Sequence, residues 1–202
     1  MRLRFPIVSV FVCLFVCEPV VAFEIFALGT SATNCRGVER DKIFTVRLQE
    51  ILRADGFDVA VINGGVDGDE PRFMQRRLEA ALHPDTRLVI FEPGANDRSS
   101  LNVEYSEKIL SFLEDRGLPA IYASNAQIQT NEEAAEMAGK HHAYYYGRWN
   151  KGVSRDAEHY QFDTWRGSAN RGGGHMTAAG CQLVASNIAA LVKRVLRERD
   201  IH

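Results

Sequence analysis

Phe23-Glu-Ile-Phe-Ala-Leu-Gly-Thr-Ser31 is the stretch on which the fold turns. It is apolar but for Glu24 until it stops at Gly29, the form of a buried strand that ends in a tight turn. Further along, similar strands alternate with amphipathic stretches. Phe44, Leu48, Ile51 and Leu52 recur at helical spacing, with Gly56 as the stop signal. Val59 to Ile62 reads as a second strand, closed by the turn signal Asn63-Gly64-Gly65. Pro71 is placed to open a helix whose apolar face is Met74, Leu78, Ala81 and Leu82. Leu88 to Phe91 is a third strand before Pro93-Gly94, and Tyr105, Ile109, Phe112 and Leu113 mark the next helix. Ala120 to Ala123 is a fourth strand, Asn131 caps a short helix, and Ala143 to Tyr146 is a fifth strand. The last helix runs from about Thr177 to Leu196, and no period is legible from Gly147 to Gly174. The alternation predicts an α/β fold, a three-layer α/β/α sandwich around a mostly parallel, flavodoxin-like sheet.

A chain of 202 residues suits one domain rather than two. Its net charge is −2 with the two signs interspersed, so it lacks the basic stripe of a nucleic-acid binder. Arg2 and Arg4, the apolar run Ile7 to Val16 and Val20-Val21-Ala22 read as a secretory signal peptide over residues 1–22. A single domain over 23–202, exported and without a stable membrane anchor, follows from that reading. The rival is a lipoprotein signal ending at Cys17, for which Phe15 and Val16 fit poorly. Cleavage after Ala22 leaves Cys35 and Cys181, either one disulfide in an oxidising compartment or two buried thiols.

Gly29-Thr30-Ser31, Gly64 to Asp69 and Gly94 to Asp97 all follow strands directly. Open α/β sheets bind ligands at the carboxyl ends of their strands, so these segments are expected to share a site. Ser31 offers a hydroxyl, Gly68 a backbone N–H, Asn96 a side-chain amide and His175, at the start of the last helix, an imidazole. Those are the groups acyl transfer at a serine requires: a nucleophile, a base and donors for an oxyanion. Singly, each reads more readily as a cap, a turn or a structural histidine.

Together, and in this order, they resemble the SGNH (or GDSL) hydrolase family. The resemblance rests on Ala27-Leu-Gly-Thr-Ser31, Val61-Ile-Asn-Gly-Gly-Val-Asp-Gly-Asp69, Phe91-Glu-Pro-Gly-Ala-Asn-Asp97 and Gly174-His-Met-Thr-Ala-Ala-Gly180. It implies a serine esterase acting on a small ester or thioester through an acyl-enzyme, with no metal or organic cofactor. Ser31 would be the nucleophile and His175 the base. Ser31, Gly68 and Asn96 would form the oxyanion hole. Sugar O-deacetylation is the alternative within that chemistry, and a non-catalytic binding protein the alternative outside it.

Two positions depart from the family pattern. Thr30 replaces the usual aspartate before the serine, which is expected to matter little. The family's acid lies three residues before the histidine, and Gly172 stands there. Converting the acid of a serine-protease triad to its amide lowers turnover by about 10⁴, so another oxygen must hold the imidazole. A carbonyl of Gly172–Gly174 is one choice and Asp163 the other. Tyr144 to Trp149, with Trp165, either lines a substrate pocket or packs on the core; His141 and His142 are expected to face solvent.

Overall fold

The computed structural model describes residues 23–163 and 170–201, with 162–163 and 170–174 as backbone. The expected signal peptide, with Cys13 and Cys17, and Trp165 lie outside the described residues. Strands β1 (Phe23–Gly29), β2 (Val59–Gly65), β3 (Thr86–Phe91), β4 (Ala120–Ser124) and β5 (Tyr144–Arg148) form one sheet in the order β2-β1-β3-β4-β5. Every pairing in it is parallel. This is the flavodoxin-like order, whose direction reverses between β1 and β3.

The helices are α1 (Phe44–Ala54), α2 (Pro71–Ala81), α3 (Ser100–Asp115), α4 (Asn131–Lys140) and α5 (Ala178–Glu198). Alternation along β1 sends its side chains into two cores. Phe23, Ile25 and Ala27 join Phe44, Leu48 and Leu52 of α1 and Val184, Ile188 and Val192 of α5. Phe26 and Leu28 join Met74 and Leu78 of α2, Ile109 and Leu113 of α3, and Ala134 of α4. The three layers are those the periodicity implied. Trp149 meets Phe44 edge-on at 4.9 Å between ring centroids, and Tyr146 is buried in the same core. These two aromatics therefore pack on the core and do not line a pocket.

Several expectations need correction. Asn63-Gly64-Gly65 does not end β2: Ala27, Leu28 and Gly29 pair with it residue for residue. The glycines serve close approach, since a Cβ on Gly65 would lie 2.5 Å from the backbone N of Asn34. The cap of α4 is Thr130, in a reciprocal capping box with Glu133, so Asn131 is the first helical residue. The stretch without a period contains β6 (Tyr160–Asp163) and leads into β7 (Asn170–Met176), an antiparallel pair separate from the main sheet. His175 therefore belongs to a strand, two residues before Thr177, the N-cap of α5. His141 is largely buried, contrary to expectation, whereas His142 is exposed as expected; both reach Glu114, at 3.0 and 2.6 Å.

Cys35 and Cys181 form a disulfide across a sequence separation of 146 residues. Closing a loop of that size removes chain entropy worth about 5 kcal/mol from the unfolded state. Reduction, or the double variant C35S/C181S, is expected to lower Tm by about 10 °C or more for a domain of this size. Thermal unfolding with and without reductant checks this, and an unchanged Tm would show that the crosslink adds nothing.

Candidate active site

The turn after β1 carries Ser31. Asn34 N–H bonds the Thr30 carbonyl at 2.9 Å, and Arg36 N–H bonds the Ser31 carbonyl at 3.0 Å, which folds the segment back on itself. Beside it, Val66 N–H donates to the Gly29 carbonyl at 3.0 Å and the Asn34 side-chain amide donates to Asp67 at 2.9 Å. The loop after β2 is thus stitched directly to the serine turn.

Gly68 has φ +77, a left-handed conformation that disfavours a side chain. Its neighbour Asp69 is almost fully buried and is held by Arg77 of α2, whose guanidinium also donates to the Gly64 carbonyl at 2.7 Å. Asn96, from the loop after β3, donates its side-chain amide to the Asp69 carbonyl at 2.9 Å. The three loops expected to converge do converge. Among the described residues no hydrogen-bond acceptor takes the backbone N–H of Ser31 or Gly68. Two backbone donors and the second proton of the Asn96 amide remain for a ligand oxygen.

The imidazole arrives from the far end of the chain. His175 Nε2 lies 3.1 Å from Ser31 Oγ, and the His175 ring is buried. Two tethers flank that contact. Gln161 of β6 donates its amide to both the Arg36 and Met176 carbonyls, at 2.8 and 2.6 Å. The Cys35–Cys181 disulfide closes the other side. Between the pairs Tyr160↔Met176 and Phe162↔Arg171 five residue steps of β7 face two of β6, so Gly172–Gly174 and His175 occupy an enlarged bulge. Bulges re-aim side chains next to active sites. The Asp163 side chain lies outside the described residues, as does the choice of acceptor for the His175 Nδ1–H.

One residue of the site escaped the sequence reading. Glu92 follows β3 and is 2% exposed, and its Oε2 accepts from Thr30 N–H at 3.1 Å, Thr30 Oγ1 at 2.8 Å and Thr33 Oγ1 at 3.1 Å. Thr30 is therefore no idle replacement. The only signal for Glu92 was a charged residue closing an apolar strand. Burial pushes its carboxyl up from 4.5 to about 7, against the hydrogen bonds from Thr30, Thr33 and Gly94. Among the described residues no group of three or more His, Cys, Asp or Glu is placed to hold a metal ion.

Solved structures share this architecture. The esterase EstA from Pseudoalteromonas sp. superposes with a TM-score of 0.71 at 16% identity, covering 86% of this chain and 98% of that one. TesA does so with a TM-score of 0.72 at 18% identity, covering 86% and 99%. AlinE4, an SGNH-hydrolase family esterase, gives 0.63 at 22% identity, covering 87% and 97%. No protein-family model matches the sequence, and no curated protein matches it significantly. The likenesses show the fold: a three-layer α/β/α sandwich of the kind found in SGNH-hydrolase esterases.

A raised folded-state pKa means that the neutral Glu92 carboxyl is the form that favours folding. Its contribution is complete below about pH 4.5 and is lost as pH rises through about 7. The shift corresponds to roughly 3 kcal/mol. Denaturant unfolding should show wild-type stability falling across that window while E92Q stays flat. Parallel pH profiles for the two proteins would refute the assignment.

Proposed function

We propose that this protein is a serine esterase of the SGNH type that hydrolyses small carboxylic esters or thioesters through an acyl-enzyme. The observation that carries the proposal is the 3.1 Å contact between Ser31 Oγ and His175 Nε2, made across 144 residues of sequence. The Ser31 and Gly68 N–H groups and the Asn96 amide come from loops bonded to the serine turn and to one another.

Ser31 Oγ attacks the substrate carbonyl carbon while its proton passes to His175 Nε2. The oxyanion that forms accepts from Ser31 N–H, Gly68 N–H and the Asn96 side chain, donors already in place before charge develops. The bond to the leaving group then breaks, and His175 returns the proton to the departing alcohol or thiol. Water attacks the acyl-enzyme, loses a proton to His175, and releases the carboxylic acid as Ser31 recovers its hydrogen. A backbone carbonyl of Gly172–Gly174 holds the Nδ1–H, a role the bulge in β7 suits. Asp163, on the neighbouring strand, is the other candidate.

Exposed apolar side chains follow or open the elements at the sheet end that carries Ser31. Val66, Phe73 and Leu101 are the exposed large hydrophobics among the described residues. Val66 directly follows β2, while Phe73 and Leu101 belong to the first turns of α2 and α3, all at the end of the sheet that carries Ser31. That placement supports an acyl or aryl group over a strongly polar substrate. Export after cleavage near Ala22 is part of the proposal, and the disulfide supports it.

A serine-reactive fluorophosphonate should label the protein stoichiometrically, and S31A should abolish the labelling, as read by intact-mass spectrometry. Folded wild-type protein that stays unlabelled would leave a non-catalytic binding protein as the reading. For the acid, D163N should cost only a few-fold in kcat; a loss approaching the roughly 10⁴ typical of a triad acid would move the role to Asp163.

A further inference from the structure

We propose that Glu92 is the positioning residue of the serine turn, its carboxylate acting through Thr30 to hold Ser31 against His175. The inference rests on the reading of Ser31 as nucleophile and adds a residue that this reading does not use.

Glu92 controls both peptide groups that flank Ser31. Thr30 N–H donates to Glu92 Oε2 directly. Thr30 Oγ1 donates to the same oxygen and accepts from Ala32 N–H at 3.3 Å. The N–H groups before and after Ser31 are thereby committed, one to Glu92 and one to a hydroxyl that Glu92 orients. Only the Ser31 N–H between them stays available to an oxyanion. Thr33 Oγ1 closes the turn onto the same Oε2.

The surroundings leave this network no slack. A Cβ on Gly29 would lie 2.0 Å from Thr33 Oγ1 and 3.0 Å from Glu92 Oε2, and one on Gly94 would lie 2.3 Å from Thr30 Cγ2. Glycine on both sides lets the turn close onto the carboxyl. The groups facing Glu92 are the Thr30 and Thr33 hydroxyls from the serine turn, the Gly94 N–H from its own loop and the Tyr122 phenol from β4. Tyr145 and Arg148 of β5 stand beyond that phenol. None of the described ion pairs includes Glu92, so the donors of the serine turn carry the load of solvating its charge.

Thr30 acquires a specific purpose here. An aspartate at that position would bring a second carboxylate to a buried acid, whereas threonine brings a hydroxyl donor. Hydrogen bonds to an ionised acceptor are roughly twice as strong as neutral ones, so the turn is held most firmly when Glu92 is charged. Protonation weakens that hold on Ser31, and misplacing a reacting group by 1 Å can cost about 10²-fold in rate. The acid limb of the activity profile then contains the ionisation of Glu92 as the holder of the nucleophile.

The test combines kinetics with NMR on the full chain. In wild type, log(kcat/KM) should fall on the acid side with a slope one proton steeper than in E92Q. E92Q should also lower kcat by about tenfold at pH 8, with KM changed less than about twofold. T30V should shift the limb to higher pH by removing a donor to the carboxylate, and T30S should restore it. In NMR, the Ser31 amide should titrate with the same midpoint as the Glu92 side-chain carboxyl, and that transition should vanish in E92Q. An acid limb as steep as that of wild type and a wild-type kcat in E92Q would overturn the proposal, as would a Ser31 titration that survives there. If no ester is turned over and no fluorophosphonate reacts, the esterase reading falls, and the NMR titration still decides whether Glu92 governs the turn. Normal labelling with an unaltered E92Q would sink the positioning role alone.

Discussion

Between Phe23 and Gly29 the backbone of β1 has no free edge, because β2 takes one side and β3 the other. The register aligns Gly29 with Gly65 and Leu28 with Phe91, so the three strands end at nearly the same height. The loops that leave them start as neighbours, and Ser31, Gly68 and Asn96 need no long excursion to meet. Parallel pairing makes this arrangement possible, since it brings all the carboxyl ends to one edge of the sheet. The glycines at the ends of β1 and β2 bring the loop backbones within hydrogen-bonding distance. Larger residues there would separate the serine turn from the loop that carries Gly68.

The second half of the site comes from far away in sequence and is held by different means. His175 belongs to a two-stranded unit outside the main sheet, so no sheet hydrogen bond fixes it relative to Ser31. The disulfide and the two hydrogen bonds of the Gln161 amide do so instead. Both run to the segment just after Ser31, at Cys35 and Arg36. His175 is thus positioned against the turn that holds Ser31, from within the bulge in β7. The loops of the main sheet carry Ser31, Gly68 and Asn96, while the disulfide and the Gln161 amide tether His175.

Glu92 shows what that precision costs. Its ionised form is disfavoured by burial, yet the same burial makes each hydrogen bond it accepts stronger than it would be in water. Functional sites commonly keep titratable groups in such surroundings. The carboxyl accepts from three donors of the serine turn: Thr30 N–H, Thr30 Oγ1 and Thr33 Oγ1. Thr30 supplies two of those donors, its backbone N–H and its hydroxyl.

The local elements were legible because periodicity is written residue by residue. The alternation of apolar strands with helices at 3.6-residue spacing sufficed for the layers, and the glycine-bearing strand ends sufficed to gather the segments of Ser31, Gly68 and Asn96, whose selection as residues rested on the family resemblance. The irregular stretch before His175 was not legible, since a short antiparallel pair with a wide bulge carries no clean alternation. Nor was the continuation of β2 through Asn63-Gly64-Gly65, where a turn signal served close packing. Glu92 was unreadable for another reason: whether a carboxyl at a strand end faces water or a buried ring of donors depends on side chains 59 and 62 residues away. The sequence by itself determined the α/β class, the order of its elements and the residue types gathered at the carboxyl end of the sheet. Only the tertiary structure decided which of them touch, because contacts between distant segments are settled by packing and crosslinks rather than by any local pattern.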